Sequence, residues 1–171
     1  VPGTSDCYKI LKPTQIPFIS YPYEWSFSQL KDAAMTTLRV QSEAMKHGFV
    51  LKDASAYNIQ FMNSKPVFID TLSFDKYREG SPWLAYKQFC QHFLAPLALM
   101  SKIDHRAAKL LSSYIDGIPL DLAAKLLPVS TKFNLGLLTH IHMHAKSQKK
   151  FANQGRDKGT QNKINAISLS P

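Results

Sequence analysis

The sequence predicts a mainly α-helical domain of the α+β class with a single β-hairpin. Apolar residues recur at helical spacing over most of the chain, and two short apolar runs within residues 58–70 interrupt that pattern. Hydrophobic residues make up 44% of the 171 positions. This length and apolar content are enough for one domain with its own core.

The first 25 residues are predicted to form an extended lead-in, because Pro13, Pro17 and Pro22 forbid a continuous helix. Ser26 or Ser28 can then cap a helix that runs to about Lys46. Its apolar positions are Phe27, Leu30, Ala34, Leu38 and Met45, which fall near one helical face. Gly48 is suited to ending this helix.

A hairpin is predicted next, from the apolar runs Asn58–Met62 and Pro66–Ile69 and the polar turn between them. Asp53 precedes the first run and Asp70 follows the second. The only strands expected are in this hairpin and in the extended start. Helices then follow in "LAYKQFCQHFLAPLALM", bent or broken before Pro96, and in "DHRAAKLLSSYI", "PLDLAAKLL" and "KFNLGLLTHIHMHAKSQKKF". The helical lobe is thus predicted over residues 26–148.

Residues 149–171 are predicted to be a flexible basic tail or linker. From Lys146 onward six basic residues face Asp157 alone, which accounts for more than half of the net charge of +9. No DNA- or RNA-binding motif indicates a nucleic-acid partner. No apolar run reaches the roughly 18 to 20 residues that a membrane helix needs. Two cysteines do not make a disulfide framework, which favours a reducing, cytoplasmic location.

Asp53, Asn58 and Asp70 are the candidate site residues. Phosphoryl transfer uses a carboxylate that takes the proton of the acceptor hydroxyl, and an amide oxygen and a second carboxylate that hold Mg²⁺. Mg²⁺ prefers hard oxygen ligands and keeps several waters, so two protein ligands are enough. The structural alternative is that these residues cap a helix, make a turn and solvate the end of the hairpin.

The order helix, D-x-x-x-x-N, strand, turn, strand, I-D resembles the catalytic and metal-binding loops of the protein-kinase-like superfamily. It looks closest to the helical C-lobe of the aminoglycoside-phosphotransferase and small-molecule-kinase branches, over roughly residues 16–90. The resemblance implies that Asp53 is the catalytic base and that Asn58 and Asp70 bind metal. It also implies Mg²⁺ and ATP as cofactors and a small-molecule, sugar-like acceptor.

The sequence departs from that superfamily in several places. Leu51 and Lys52 stand where protein kinases have His-Arg, and Thr71 follows Asp70 in place of Phe. No Gly-rich loop and no evident phosphate-pairing lysine precede Tyr21, so the nucleotide lobe is expected to be absent from this chain. The expected partner is therefore the remainder of a longer bacterial protein, and the isolated lobe is expected to be inactive.

A second resemblance leads to another functional class. The segments "FISYPYEWSFSQLKDAA", "KDASAYNIQF" and "FIDTLSF" are similar to the N-terminal region of bacterial proteins that carry an S-adenosylmethionine-dependent methyltransferase domain. No glycine-rich turn of a methyl-donor site is present here. The resemblance implies a non-catalytic scaffold or interaction module attached to such an enzyme.

The histidines of "HIHMHAK" are a weaker candidate for a site. On a helix only His140 and His144 share a face, and two histidines without a third ligand make a poor zinc site. Packing or hydrogen bonding is the expected role for them. His92 is expected to be a core or pocket histidine, and Tyr86, Gln88 and Gln91 could reach a substrate.

Overall fold

A computed structural model describes residues 12–147 of the chain. The described part is mainly helical with two small antiparallel sheets, which confirms the predicted α+β class. The helices are α1 (Phe27–Lys46), α2 (Tyr86–Phe89), α3 (Ala95–Lys102), α4 (Leu110–Ser113), α5 (Leu120–Leu126) and α6 (Leu135–Leu137). The strands are β1 (Phe49–Leu51), β2 (Ile59–Met62), β3 (Lys65–Phe68) and β4 (Phe74–Lys76).

Helix α1 begins and ends where the sequence predicts. Ser26 and Gln29 form a reciprocal capping box, and Gly48 follows the helix with a φ of +75°. The buried stripe was predicted less well, because Leu38 and Met45 are exposed. The stripe instead comprises Leu30, Ala33, Ala34, Thr37, Gln41 and Ala44.

The predicted hairpin is present as β2 and β3, with Ile59 opposite Phe68. Asn63 and Ser64 form its two-residue turn, and both have positive φ values, as a type I′ turn requires. The prediction that strands occur only in the hairpin and in the extended start was wrong. Strands β1 and β4 pair across the hairpin, and residues 12–21 contain no strand.

The helix after the hairpin contains a π-helical segment, Cys90–Leu94, between α2 and α3. Pro96 has no N–H to donate to the carbonyl of His92 four residues earlier, so the α-helical hydrogen-bond ladder is interrupted there. The predicted bend before Pro96 therefore takes the form of a widened turn. Phe93 in this segment is fully buried.

The rest of the described chain completes the core with short helices. Asp104 caps a 3₁₀ helix, His105–Lys109, that leads into α4. A second 3₁₀ helix, Val129–Phe133, precedes α6, and a π-helical segment, Leu138–Met143, follows it. The largest fully buried apolar side chains of the described residues are Leu30, Leu51, Ile59, Phe93, Leu99, Leu111, Ile118, Leu120 and Ile141.

The described part of the lead-in is attached to the hairpin. The backbone N–H of Ser20 donates to Oε1 of Gln60 (3.1 Å), and Nε2 of Gln60 donates to the carbonyl of Ser20 (3.0 Å). Trp25 donates from Nε1 to Oγ of Ser20 (2.9 Å). The predicted tail at 149–171 lies outside the described residues. Within residues 12–147 no helix has the length and hydropathy needed to cross a bilayer.

Candidate functional site

The pairing of β1 with β4 sets the relation between the loops that carry Asp53 and Asp70. The chain leaves β1 towards Asp53, and it passes from Asp70 into β4. Just beyond the strand ends, the N–H of Lys52 donates to the carbonyl of Ser73 (2.8 Å). The two loops therefore start from the same end of one antiparallel pair. The hairpin between the two loops brings the chain back beside the point where the hairpin begins, because the N–H of Ile69 donates to the carbonyl of Asn58 (2.9 Å).

A buried serine links Asn58 to Asp70. Nδ2 of Asn58 donates to Oγ of Ser73 (3.1 Å), and this hydroxyl donates to Oδ2 of Asp70 (2.5 Å). Ser73 is 1% exposed, so the relay is fixed within the fold. The N–H of Leu72 donates to the other carboxylate oxygen, Oδ1 of Asp70 (2.8 Å). The structure thus brings two of the three predicted site residues into one hydrogen-bond network.

The same network keeps Asp70 ionised. The hydroxyl of Ser73, the N–H of Leu72 and the nearby charge of Lys52 lower the pKa of Asp70, in that order of importance, and slight burial opposes them. An ionised carboxylate has about four acceptor positions, and Ser73 and Leu72 use two of them. Because Asn58 donates through Nδ2, its orientation is set and its Oδ1 is the atom left to act as a ligand.

The loop that carries Asp53 is held by local and long-range hydrogen bonds. Oδ1 of Asp53 accepts from the N–H of Ser55 (2.8 Å). The N–H of Ala54 donates to Oε1 of Gln88 on α2 (2.8 Å). Upstream, the N–H of Leu51 donates to the buried Oε1 of Gln41 on α1 (2.8 Å). Two helices therefore fix the backbone on both sides of Asp53, and its carboxylate stays partly exposed.

Asp53 and Asn58 line a cleft of about 460 Å³. Gln88 and His92 from the helix after the hairpin line it as well, and so does Asp116 from the loop after α4. This volume lies in the usual range of small-molecule sites. Asp70 is outside the lining of the cleft. Asn58 therefore stands between the two parts of the site, with Asp53 on the cleft side and the Ser73 network on the other.

His92 is the most buried polar residue of the cleft, with 2% of its surface exposed. Burial lowers its pKa to about 4, although the charges of Asp53 and Asp116 oppose that shift, so the ring is neutral at pH 7. The edge of its ring meets Tyr57, with ring centres 6.2 Å apart. Among residues 12–147, Nδ1 of His92 is a buried side-chain atom without a hydrogen-bond partner.

Gly117 holds the loop that carries Asp116 against the helix that carries Gln91 and His92. Its φ is +91°, and a Cβ atom there would lie 2.7 Å from Cβ of Gln91 and 3.0 Å from Cδ2 of His92. The next residue donates its N–H to the carbonyl of Gln91 (3.0 Å). Only glycine allows this close approach in this conformation, so the loop geometry that places Asp116 at the cleft depends on it.

Asn58 and Asp70 carry oxygen donors, which are the ligands that a hard divalent cation prefers. The described residues include no group of three or more His, Cys, Asp or Glu side chains that could hold a metal ion. Asn58 and Asp70 offer one amide oxygen and one ionised carboxylate, and Mg²⁺ commonly takes one or two such ligands and keeps its remaining waters. These donors fit Mg²⁺. The described residues contain no glycine-rich loop for the phosphates of ATP.

The histidine cluster is engaged in packing. His140 and His144 share a face as predicted, and both lie against Tyr86, whose hydroxyl is hydrogen bonded to Nδ1 of His140. His142 is buried, and its Nε2 is 2.8 Å from Oγ1 of Thr131. Each imidazole thus has an aromatic or hydroxyl neighbour within the protein.

Two residues of the site were not predicted from the sequence. Ser73 follows Asp70 by three positions, which is a spacing at which a hydroxyl can reach a carboxylate, but such pairs are common in turns. Asp116 precedes Gly117, and this Asp-Gly pair looks like an ordinary turn. The place of either residue beside the candidate site depends on tertiary contacts that local sequence does not reveal.

The chain was compared with known proteins. It is 42% identical over 140 residues to the nodulation protein NoeA of Rhizobium meliloti (strain 1021). The match covers 82% of this chain and 29% of that protein, so the chain spans less than a third of the length of the curated relative it matches. The name assigns that relative to nodulation and states no chemistry. No family model matches the chain. No solved structure matches it either.

Proposed function

We propose that the chain is a kinase-like helical lobe of a larger bacterial protein. It carries the half of a phosphoryl-transfer site that holds the catalytic base and the metal ligands, called the half-site below. The observation that carries the proposal is the hydrogen-bond relay from Asn58 through Ser73 to Asp70, beside a cleft that Asp53 lines. Turn-making residues alone would not require a buried serine that joins two separate loops. The lobe corresponds to residues 26–148, with the lead-in before it and the basic tail after it.

In this proposal the three polar residues have separate roles. Asp53 accepts a proton from the acceptor hydroxyl and orients its oxygen. Asn58 and Asp70 hold Mg²⁺, which when bound neutralises charge on the phosphates of ATP. Ser73 positions both ligands, because it is the hydrogen-bond partner of each. The nucleotide itself would be covered by a part of the longer protein that lies outside this chain.

A second candidate is a non-catalytic scaffold or interaction module attached to an S-adenosylmethionine-dependent methyltransferase. The observation that favours it is the number of large apolar side chains at the surface. Leu72, Leu84 and Phe133 are 81%, 73% and 90% exposed. Contiguous exposed apolar patches are typical of surfaces that contact a partner, and these three side chains are candidates to form one. Under this alternative the covering partner is the remainder of the longer protein, and the carboxylates do no chemistry.

We further propose a cytoplasmic location. Cys90, the one cysteine among the described residues, is buried as a free thiol. Burial raises the pKa of this thiol, which keeps it protonated and unreactive.

The test uses a full-length protein that contains this chain and compares three Asp→Asn variants in a phosphoryl-transfer assay. Asp53→Asn should abolish turnover and leave nucleotide binding intact, because the base acts on the acceptor. Asp70→Asn should weaken Mg²⁺-dependent nucleotide binding, because it removes a charged ligand. Asp75→Asn on the exposed edge of β4 is the control and should leave both properties unchanged. Indifference of the protein to the first two variants would favour the scaffold.

A further inference from the structure

A second pocket, of about 200 Å³, lies between α5 and the π-helical segment Leu138–Met143. It shares no lining residue with the cleft beside Asp53. We propose that this pocket binds a small carboxylate with an apolar body, such as an aromatic or short-chain acid. The proposal goes beyond the phosphoryl-transfer site and does not depend on it.

Four apolar side chains line the pocket: Ala124 on α5, and Leu138, Met143 and Ala145 at the other wall. Ala145 is buried, and Ala124 and Leu138 are half-buried, so the apolar surface is a recess in the fold. A cavity of about 150 Å³ in another protein is large enough to hold benzene. The pocket therefore has room for one aromatic ring or a short acyl chain.

The charged side chains of the lining are mainly basic. Lys125, Lys132 and Lys146 face Asp121 alone, and these three positive charges and one negative charge leave a net charge of +2. Asp121 is already paired, because its Oδ2 lies 3.7 Å from Nζ of Lys125. Lys132 and Lys146 take part in no ion pair within residues 12–147. An anion beside the apolar recess would be attracted to these two ammonium groups, and a cation would be repelled.

His142 shows that the two lysines act on the interior of the pocket. The residue lines the pocket and is 5% exposed. The hydroxyl of Thr131 donates to the carbonyl of Pro128 (2.6 Å), so it accepts from Nε2 of His142 (2.8 Å), which fixes the ring. Burial lowers the pKa of His142, and the positive charges of Lys132 and Lys146 lower it further. A carboxylate bound beside these lysines would offset their effect on the ring.

The binding test titrates the chain with benzoate, benzamide and acetate and follows its backbone amide signals by NMR. Benzamide has nearly the shape of benzoate without its charge, and acetate has the charge without the ring. Benzoate should bind in the millimolar range and shift the signals of α5 and residues 138–146. Benzamide and acetate should bind about tenfold more weakly or not at all. Equal binding of either control, or no binding of benzoate at these residues, would overturn the proposal.

The pKa of His142 provides a second readout. The charged groups of the pocket that face it are Asp121 and Lys125 from α5, Lys132 from the 3₁₀ helix and Lys146 from the end of the described chain. Saturating benzoate should raise the pKa of His142 in an NMR titration, because the carboxylate offsets the two unpaired lysines. Benzamide should leave that pKa unchanged. A pKa that benzoate does not move would contradict the position proposed for the carboxylate.

Variants of the exposed lysines locate the site without disturbing the core. Lys132→Met and Lys146→Met should each weaken benzoate binding about threefold, and the double variant should weaken it about tenfold. Lys109→Met removes the same charge outside the pocket and is the matched control. Unchanged benzoate affinity in the double variant would refute the assignment. If benzoate binds only after residues 148–171 are removed, the chain's own end occupies the pocket and the proposal is wrong.

Discussion

Replacing Gly117 by alanine tests how the cleft is built. Two costs should add at this position. A non-glycine residue in the left-handed region costs about 1 to 2 kcal/mol. The new Cβ would also lie 2.7 Å from Cβ of Gln91 and 2.9 Å from its carbonyl carbon, and both belong to a packed helix. Overpacking of this kind costs about 1 to 3 kcal/mol. The expected loss of unfolding free energy is therefore about 2 to 5 kcal/mol.

Gly80 provides the matched control. Its φ is +77°, close to that of Gly117, but a Cβ there would have no neighbour within 4 Å. Gly80→Ala should therefore show the conformational cost alone. Each variant also removes one glycine from the unfolded chain, and that contribution cancels when the two are compared. The difference between them isolates the contact with Gln91.

The assay is urea unfolding followed by circular dichroism, with free energies from linear extrapolation. Gly117→Ala should have a clearly lower midpoint than Gly80→Ala, with a similar slope. Equal midpoints for the two variants would refute the claim that close packing of Gly117 on the helix shapes the cleft.

Three further predictions follow from the site. Ser73→Ala should raise the pKa of Asp70 in an NMR titration. The pKa of Asp70 is lowered in the folded state, so the ionised carboxylate stabilises the fold at pH values above its ordinary pKa near 3.8. That stabilisation is lost as pH falls towards the folded-state pKa. An unchanged pKa of Asp70 in Ser73→Ala would contradict the relay. His92 also lowers stability as pH falls, but over a higher pH interval. Its unfolded form takes up a proton between pH 6.5 and about 4, and its folded form does not, so stability should fall by about 3 kcal/mol across that interval. Unfolding of His92→Gln at several pH values should show a shallower fall, and an identical pH profile would contradict it. Finally, calorimetry of the isolated chain with Mg²⁺-ATP should show weak binding or none, and micromolar affinity would contradict the half-site.

Much of the local structure could be predicted because its signals are local. Ser26 and Gln29 start α1, Gly48 ends it, and Asn63 with Ser64 makes the hairpin turn. In each case the residue type satisfies a backbone requirement of its immediate neighbours. Helix existence and the hairpin therefore follow from the sequence alone.

The second sheet could not be predicted, because its strands are three residues long and lie more than twenty residues apart. Pairing at that separation is decided by the fold around it. The prediction of which α1 residues are buried was partly wrong for a related reason. Thr37 and Gln41 are polar but buried, since Oγ1 of Thr37 donates to the carbonyl of Ala33 and Gln41 accepts from Leu51. Apolar periodicity cannot identify a buried polar residue that has found a partner.

The candidate site was predicted in part. Asp53, Asn58 and Asp70 were identified from their spacing around the hairpin, and the structure links the last two through Ser73. Asp116 was missed, because it reaches the cleft only when the loop after α4 packs on the helix that carries His92. The part of a site that depends on helix packing is the part that the sequence does not reveal.

The most direct test of the half-site uses Mn²⁺ in place of Mg²⁺ on the chain, since both ions prefer oxygen ligands and Mn²⁺ broadens nearby NMR signals. Amide signals around Asn58, Asp70 and Ser73 should broaden first. Asp70→Asn should abolish that broadening, and Asp75→Asn should leave it unchanged. Broadening elsewhere only, or broadening that survives Asp70→Asn, would contradict the claim that these loops hold the metal.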